Sequence, residues 1–327
     1  MGRLVNTAGN RPRALAAPAE APPTVPTTPR NQRQRTRPTR GRSGLDSRLD
    51  HRDGGLKAEG ARTRGVTVSM KAVLLAGGLG TRMREETEFR PKPMVEIGGK
   101  PVLWHLMKFF SAYGITDFVV CAGYKGEQIK EYFLNYAAHN NDFTITLGKT
   151  SNLVFHGDHM ESDWHVTVAD TGQATLTAGR VERIERFVQD ERFIVTYGDG
   201  LADLDVSKLL AFHEDHGRKA TITTVRPLSR FGLVDVDDSL VTRFREKPQM
   251  DDWVSAGFFV FEPSIFEYLR DSDDVMLEHE PLARLAAERQ LAAYRHEGFW
   301  QPMDTFRESM LLNEMWESGS APWRVWQ

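Results

Sequence analysis

The chain of 327 residues contains a single cysteine, Cys121. No intrachain disulfide can form and no cysteine cluster can hold a metal, which fits a reducing, cytoplasmic setting. No run of about 18 apolar residues occurs, so no membrane-spanning helix and no membrane partner are expected. The histidines are scattered, and none forms a metal-spaced set; His156 and His159 lie three apart but lack further ligands nearby. Neither G-x-G-x-x-G nor G-x-x-x-x-G-K-[ST] is present, which excludes the dinucleotide and P-loop fingerprints. No Ser-His-Asp set and no internal repeat is found.

Large apolar residues are nearly absent from residues 1–69. Pro12, Pro18, Pro22, Pro23, Pro26, Pro29 and Pro38 interrupt any helix there. Ordering such a stretch costs more conformational entropy than burial returns, so it is expected to be disordered. Thirteen arginines and Lys57 oppose five acids, a balance of +9 that leaves −12 for the remainder of a chain of net charge −3. A negative body argues against nucleic acid as a partner. Met70 stands directly before the first apolar run. The expectation is therefore that the domain starts there and that residues 1–69 are a mis-assigned extension. A genuine basic tail and an arginine-rich transit peptide are the alternatives.

The body, residues 70–327, alternates strand and helix patterns. Lys71–Ala76 is a continuous apolar run ending in glycines, as in a buried parallel strand. Residues 100–113 place Leu103, Leu106, Met107 and Phe110 on one helical face, and Gly114 ends that helix. Phe118–Ala122 is a second strand, and the next helix passes through Ile129 and Phe133. Further strands are expected at Phe143–Leu147, Val166–Asp170, Phe193–Tyr197, Ala220–Val225, Leu233–Val236 and Ala256–Phe261. Helices are expected at Val206–His216, 280–292 and 303–317. The order predicts an α/β domain, with a mainly parallel sheet and right-handed crossovers. Trp316, Trp323 and Trp326 are read as packing residues, and Cys121 as a small buried one.

Chemistry concentrates at a few places. Gly77, Gly78 and Gly80 follow the first strand, where bare backbone can approach an anion and successive N–H groups can face its oxygens. Arg82 adds a planar fork suited to phosphate. Two prolines bracket Lys92 in Arg90-Pro-Lys-Pro-Met94 and are expected to fix its backbone in an extended form. Asp199 follows the strand Phe193–Tyr197, where an acid points into the ligand crevice of a parallel sheet. A glycine-flanked turn is the plainer account of Asp199, and a helix N-cap that of Asp304.

The run Leu75-Ala-Gly-Gly-Leu-Gly-Thr-Arg82, with Glu85-Glu-Thr87 and Pro91-Lys-Pro-Met94 after it, resembles the sugar-1-phosphate nucleotidyltransferases. The likeness continues through Gly123–Gly126, Asp170–Gly172, Thr177–Arg180, Thr196–Asp203, Glu246–Pro248 and Gly298–Thr305. The Glu-Glu-Thr and Pro-Lys-Pro-Met segments look like the cytidylyl branch. The resemblance implies a Rossmann-like mixed, mainly parallel sheet flanked by helices, the nucleotide-diphospho-sugar transferase fold. It implies transfer of CMP from CTP to glucose 1-phosphate in a homo-oligomer. It implies one Mg²⁺ on Asp199 and Asp304, catalysis by Arg82, Lys92 and Lys247, and substrate contacts from Leu75, Ala76, Gly77, Gly78, Leu79, Gly80, Thr81, Arg82, Lys92, Thr175, Arg180, Gly198, Glu246 and Lys247. A thymidylyl- or uridylyltransferase is the nearest alternative. An Asp-x-Asp glycosyltransferase, using Asp203-Leu-Asp205 or Asp235-Val-Asp237, is a further one.

Overall fold

In a computed structural model, residues 70–147, 152–188, 191–271 and 273–326 are described, apart from the side chains of Arg82, Arg84 and Glu85. Residues 1–69, and the expected disorder there, lie outside them. Along the chain come β1 (Lys71–Ala76), α1 (Val102–Ser111), β2 (Asp117–Ala122), α2 (Gly126–Leu134), β3 (His165–Asp170), α3 (Thr177–Arg183) and β4 (Phe193–Tyr197). Then follow α4 (Val206–His216), β5 (Ala220–Val225), β6 (Val254–Phe261), α5 (Glu280–Ala287), β7 (Leu291–Arg295) and α6 (Phe306–Glu317). The seven strands form one sheet in the order β7-β5-β6-β4-β1-β2-β3. Only β6 runs against its neighbours; every other pairing is parallel.

The apolar run of β1 explains its central place. Ala72, Leu74 and Ala76 enter the core on the α1 side, while Val73 and Leu75 join the core on the α3 side. A strand covered on both faces needs no polar alternation. Its register, Lys71↔Asp117 on one side and Lys71↔Phe193 on the other, brings the ends of β1, β2 and β4 level.

Helix α1 is buried all round from Val102 to Phe110, rather than on one face. Its outer side is covered by the C-terminal segment, where Trp323 is fully buried. His105 sits edge-on to Trp104, Trp316 and Trp323. Its Nε2 lies 2.8 Å from the Ile97 carbonyl, and the Trp323 indole N–H donates to its Nδ1 at 3.4 Å. Only the neutral tautomer protonated on Nε2 satisfies both partners. The tryptophans thus pack as expected, and Cys121 is buried in β2.

Two helix boundaries are corrected, and two of the expected strands form outside the main sheet. The helix expected at 280–292 stops at Ala287, and Leu291–Arg295 forms the edge strand β7, parallel to β5 from Ala220↔Leu291 to Thr224↔Arg295. Arg289 takes a left-handed φ of 58°, which no α-helix accommodates and which turns the chain into the strand. The strands expected at Phe143–Leu147 and Leu233–Val236 belong to separate ribbons, pairing with Leu153–His156 and Leu240–Arg245. The helix expected at 303–317 starts at Phe306, because Thr305 caps it in a reciprocal capping box with Glu308.

Burial, the largest influence, pulls the His105 imidazole down to about 4 against the pull of the Ile97 carbonyl. His213 is also lowered to about 4 by burial, although it contacts Glu262. Both folded values lie below the ordinary 6.5, so the fold favours the uncharged ring. The associated stability is complete above that pH and is lost as pH falls toward 4, by roughly 2–3 kcal/mol for each ring. Urea unfolding at pH 7.5 and 4.5 should show His105→Gln losing less stability than the wild type over that interval. Equal losses would remove His105 as a source.

Candidate active site

Four parallel strands end at the same edge of the sheet. β1 runs into the glycine loop 77–80, β2 into Gly123, β3 into Thr171–Gln173, and β4 into Gly198 and Asp199. Leu75 and Ala76 are the buried end of β1, and Leu79 is an exposed apolar residue on the loop. Gly80 takes a φ of 61°, and its carbonyl accepts from the Met83 N–H and the Thr87 hydroxyl, both at 3.0 Å. Thr81 and Arg82 open a short 3-10 helix, Thr81–Met83; the Arg82 side chain lies outside the described residues.

Arg180, on α3, is buried beneath this edge. One guanidinium nitrogen donates to the Thr171 hydroxyl at 2.7 Å and the Gly172 carbonyl at 2.8 Å, and the other to the Gly77 carbonyl at 2.9 Å. Longer bonds reach the carbonyls of Ala122 and Gln173, both at 3.4 Å. One side chain therefore ties together the loops after β1, β2 and β3. A Cβ on Gly77 would lie 2.0 Å from the Arg180 Nη1, so the glycine there makes room for the guanidinium. Burial, foremost, draws the Arg180 pKa down, yet a guanidinium stays charged in a protein. Thr175 is buried in the same loop region, beside Gly172.

The second group of residues meets at Lys92, which opens a 3-10 turn, Lys92–Met94, instead of the expected extended segment; Pro91 before it is the extended residue. The Lys92 ammonium lies 2.5 Å from Asp199 Oδ2 and 2.7 Å from Asp304 Oδ1. Two features place the aspartates there. The short strand Gly200–Ala202 pairs antiparallel with Trp300–Pro302, and the Met303 N–H donates to the Asp199 carbonyl at 2.8 Å. Gly198 approaches so closely that an added Cβ would fall 2.9 Å from both the Leu75 carbonyl and Pro93. Burial alone would lower the Lys92 pKa; the adjacent Asp199, then Asp304, outweigh it and raise the value. The lysine is thus held protonated between two carboxylates.

Asp304 is not the helix cap; Thr305 is. Instead, Glu308 Oε2 accepts the backbone N–H of Asp304 at 2.7 Å and of Thr305 at 2.8 Å. Sequence reasoning missed Glu308, although Thr305-x-x-Glu308 spells a capping box that could have marked it. A cavity of about 1090 Å³ opens beside the two aspartates, walled by Tyr197, Gly257 and Trp300. Glu246 and Lys247 are outside its lining; they are exposed and pair with each other at 3.6 Å. Neither Asp-x-Asp spelling forms a metal pair. Asp205 caps α4 by accepting the Lys208 N–H, and Asp235 pairs with Arg245 across its ribbon.

The chain matches the model of the nucleotidyl transferase family over residues 71–310 and belongs to that family. It is 50% identical over 260 residues to the glucose-1-phosphate cytidylyltransferase of Salmonella typhi, covering 79% of this chain and 100% of that protein. It is 31% identical to the mannose-1-phosphate guanyltransferase of Gibberella zeae, covering 77% of this chain and 66% of that protein. Among solved structures, a UDP-glucose pyrophosphorylase complexed with UDP-glucose superimposes with a TM-score of 0.56 at 16% identity, over 76% of this chain and 99% of the other. That likeness shows a shared fold.

The contact between Gly77 and Arg180 can be isolated by a double-mutant cycle. Gly77→Ala should destabilise the wild type by roughly 1–3 kcal/mol through overpacking. In an Arg180→Met background, the same change should cost less than half as much in urea unfolding. Equal costs in both backgrounds would show that the guanidinium does not dictate the glycine.

Proposed function

We propose that the chain is a glucose-1-phosphate cytidylyltransferase, which joins CTP and glucose 1-phosphate into CDP-glucose and pyrophosphate. The observation that carries this reading is the convergence of Lys92, Asp199 and Asp304, beside a glycine loop, in a chain half identical to a relative of that name over the relative's full length. The guanylyl relative is matched less closely and over only part of its length, which favours CTP over another nucleotide.

The sugar phosphate is already an anion, so its oxygen needs no general base. That oxygen forms a bond to the α-phosphorus of CTP as the bond to the bridging oxygen breaks, and pyrophosphate leaves with the electron pair. Catalysis is then positioning and charge stabilisation. The loop 77–80 receives the triphosphate on its backbone N–H groups, with Gly198, Thr175 and Arg180 shaping the nucleotide side. Arg82 and Lys92 neutralise the departing pyrophosphate. Lys247 and Glu246 close on the sugar phosphate from the neighbouring loop, which requires them to move toward the cavity.

Asp199 and Asp304 fit a hard divalent cation. Both are oxygen donors drawn around one positive centre, and Mg²⁺ takes one or two carboxylates together with substrate phosphate. When bound, Mg²⁺ supplies charge neutralisation to both reactants. The homo-oligomer draws support from exposed apolar side chains on the two ribbons, among them Phe143, Ile145, Val241 and Phe244.

Pyrophosphate release should be measured with each of the four NTPs and glucose 1-phosphate. CTP should be used at least roughly tenfold better than the others, a difference of about 1.4 kcal/mol; preference for UTP or dTTP in a matching assay would overturn the assignment of the base. Lys92→Ala should lower kcat by on the order of a hundredfold or more. Unchanged turnover would remove Lys92 from the mechanism.

A further inference from the structure

The carboxylate pair raises a question of charge. One ammonium faces two carboxylates, and the proposed sugar phosphate must bring its own negative phosphate next to them. Among the described residues lining the cavity, Arg226 and Arg230 are the permanent cations. Arg226 lies against the Trp253 ring at 5.0 Å and near Glu297 at 3.8 Å, as part of the cavity wall. Arg230 is different. Its side chain is 59% exposed, and its Nη2 stands 3.2 Å from Glu308 Oε1 and 3.7 Å from Asp304 Oδ2.

We propose that Arg230 is a substrate-contacting residue that grips the phosphate of the sugar phosphate beside Asp304. Three observations carry this. First, its position is built. Ser229 donates its N–H to the Pro248 carbonyl at 2.8 Å, Met250 donates to Pro227 at 2.9 Å, and Leu228 bridges to Gln249, so the segment carrying Arg230 is stitched to the strand-like chain beside it. Second, Glu308 joins it to the metal-binding candidate. The same carboxyl group accepts from Arg230 through one oxygen and from the Asp304 and Thr305 N–H groups through the other. Arg230 is thus set at a fixed place relative to Asp304 without being buried. Third, a guanidinium has five donors in a plane, so it can keep Glu308 on one edge and present the other to a phosphate.

Arg230 also supplies what Lys247 does not in this geometry. Lys247 is outside the cavity lining, whereas Arg230 is part of it. The inference rests on the reading of this cavity as the sugar-phosphate site. The rival role for Arg230 is a cross-link between its segment and α6, with no part in substrate binding.

Initial rates of wild type, Arg230→Met and Arg230→Lys, each with thermal unfolding recorded alongside, separate the two roles. A phosphate grip predicts that Arg230→Met raises the KM for glucose 1-phosphate at least roughly tenfold, as for a lost charge-assisted hydrogen bond. The KM for CTP should stay within about twofold, and Arg230→Lys should fall between. Two KM values that both stay put, or that rise together as the melting temperature falls, would overturn the proposal in favour of the cross-link. A folded wild type that is inert with all four NTPs fails at an earlier step, overturning the sugar-phosphate reading itself and this inference with it.

Discussion

Everything at the site depends on one ammonium held between two carboxylates. Asp199 and Asp304 come from segments 105 residues apart, and Lys92 from a third segment far from both. Two carboxylates brought this close repel one another; a lysine between them removes that cost and fixes their spacing. These three side chains together keep a net charge of −1, which suits the cation proposed for the aspartates. The rest of the local structure serves this meeting. β4 pairs with β1 so that Gly198 can press against Pro93, and the ribbon of Gly200–Ala202 with Trp300–Pro302 carries Asp304 to Asp199. Glu308 then fixes the backbone of Asp304 from the first turn of α6.

Arg180 performs the matching task on the other side of the glycine loop. Its acceptors are neutral carbonyls and one hydroxyl, so its charge is not cancelled by a bonded carboxylate. Burying a charge this way is costly unless every donor is occupied. The gain is a loop edge whose segments after β1, β2 and β3 are tied to one another, with a positive charge beneath the glycine loop. Glycines at 77 and 123 follow from this, since a Cβ at either position would meet the guanidinium.

The sequence made the sheet legible because β1, β2 and β4 are continuous apolar runs, each followed by a glycine at the carboxyl edge. The pattern failed where it relied on composition alone. The alanine-rich segment after Glu280 reads as helix throughout, but a left-handed residue at Arg289 ends it, and backbone handedness leaves no trace in hydrophobic spacing. The ribbons around Asp142 and Leu233 show apolar residues without a core to receive them, so their strand character was visible and their isolation was not. Asp199 could be placed from the strand before it. Asp304 could not, because its position is set by a three-residue pairing over a hundred residues away. Arg180 acts by hydrogen-bonding backbone from other segments, and such a partner has no local signature, whereas Glu308 bonds the backbone of its own segment and was legible as the last residue of a capping box.

The distribution of charge also fits a proposed reaction that needs no poised acid or base. In the proposed reaction both reactants arrive as anions, and the leaving group departs as one. The difficulty is repulsion, not proton transfer, so the useful side chains are permanent cations and a carboxylate pair able to hold a metal. The two histidines with strongly lowered values agree with this division. His105 lies under the C-terminal tryptophans and His213 against β5, each held neutral by burial, and neither lines the cavity beside Asp199. These two imidazoles are thus used for packing; His296, which does line the cavity, has its Nε2 3.0 Å from Asp203 Oδ1. In the proposed reaction, pH dependence is expected from the substrate phosphate and from the stability of the fold.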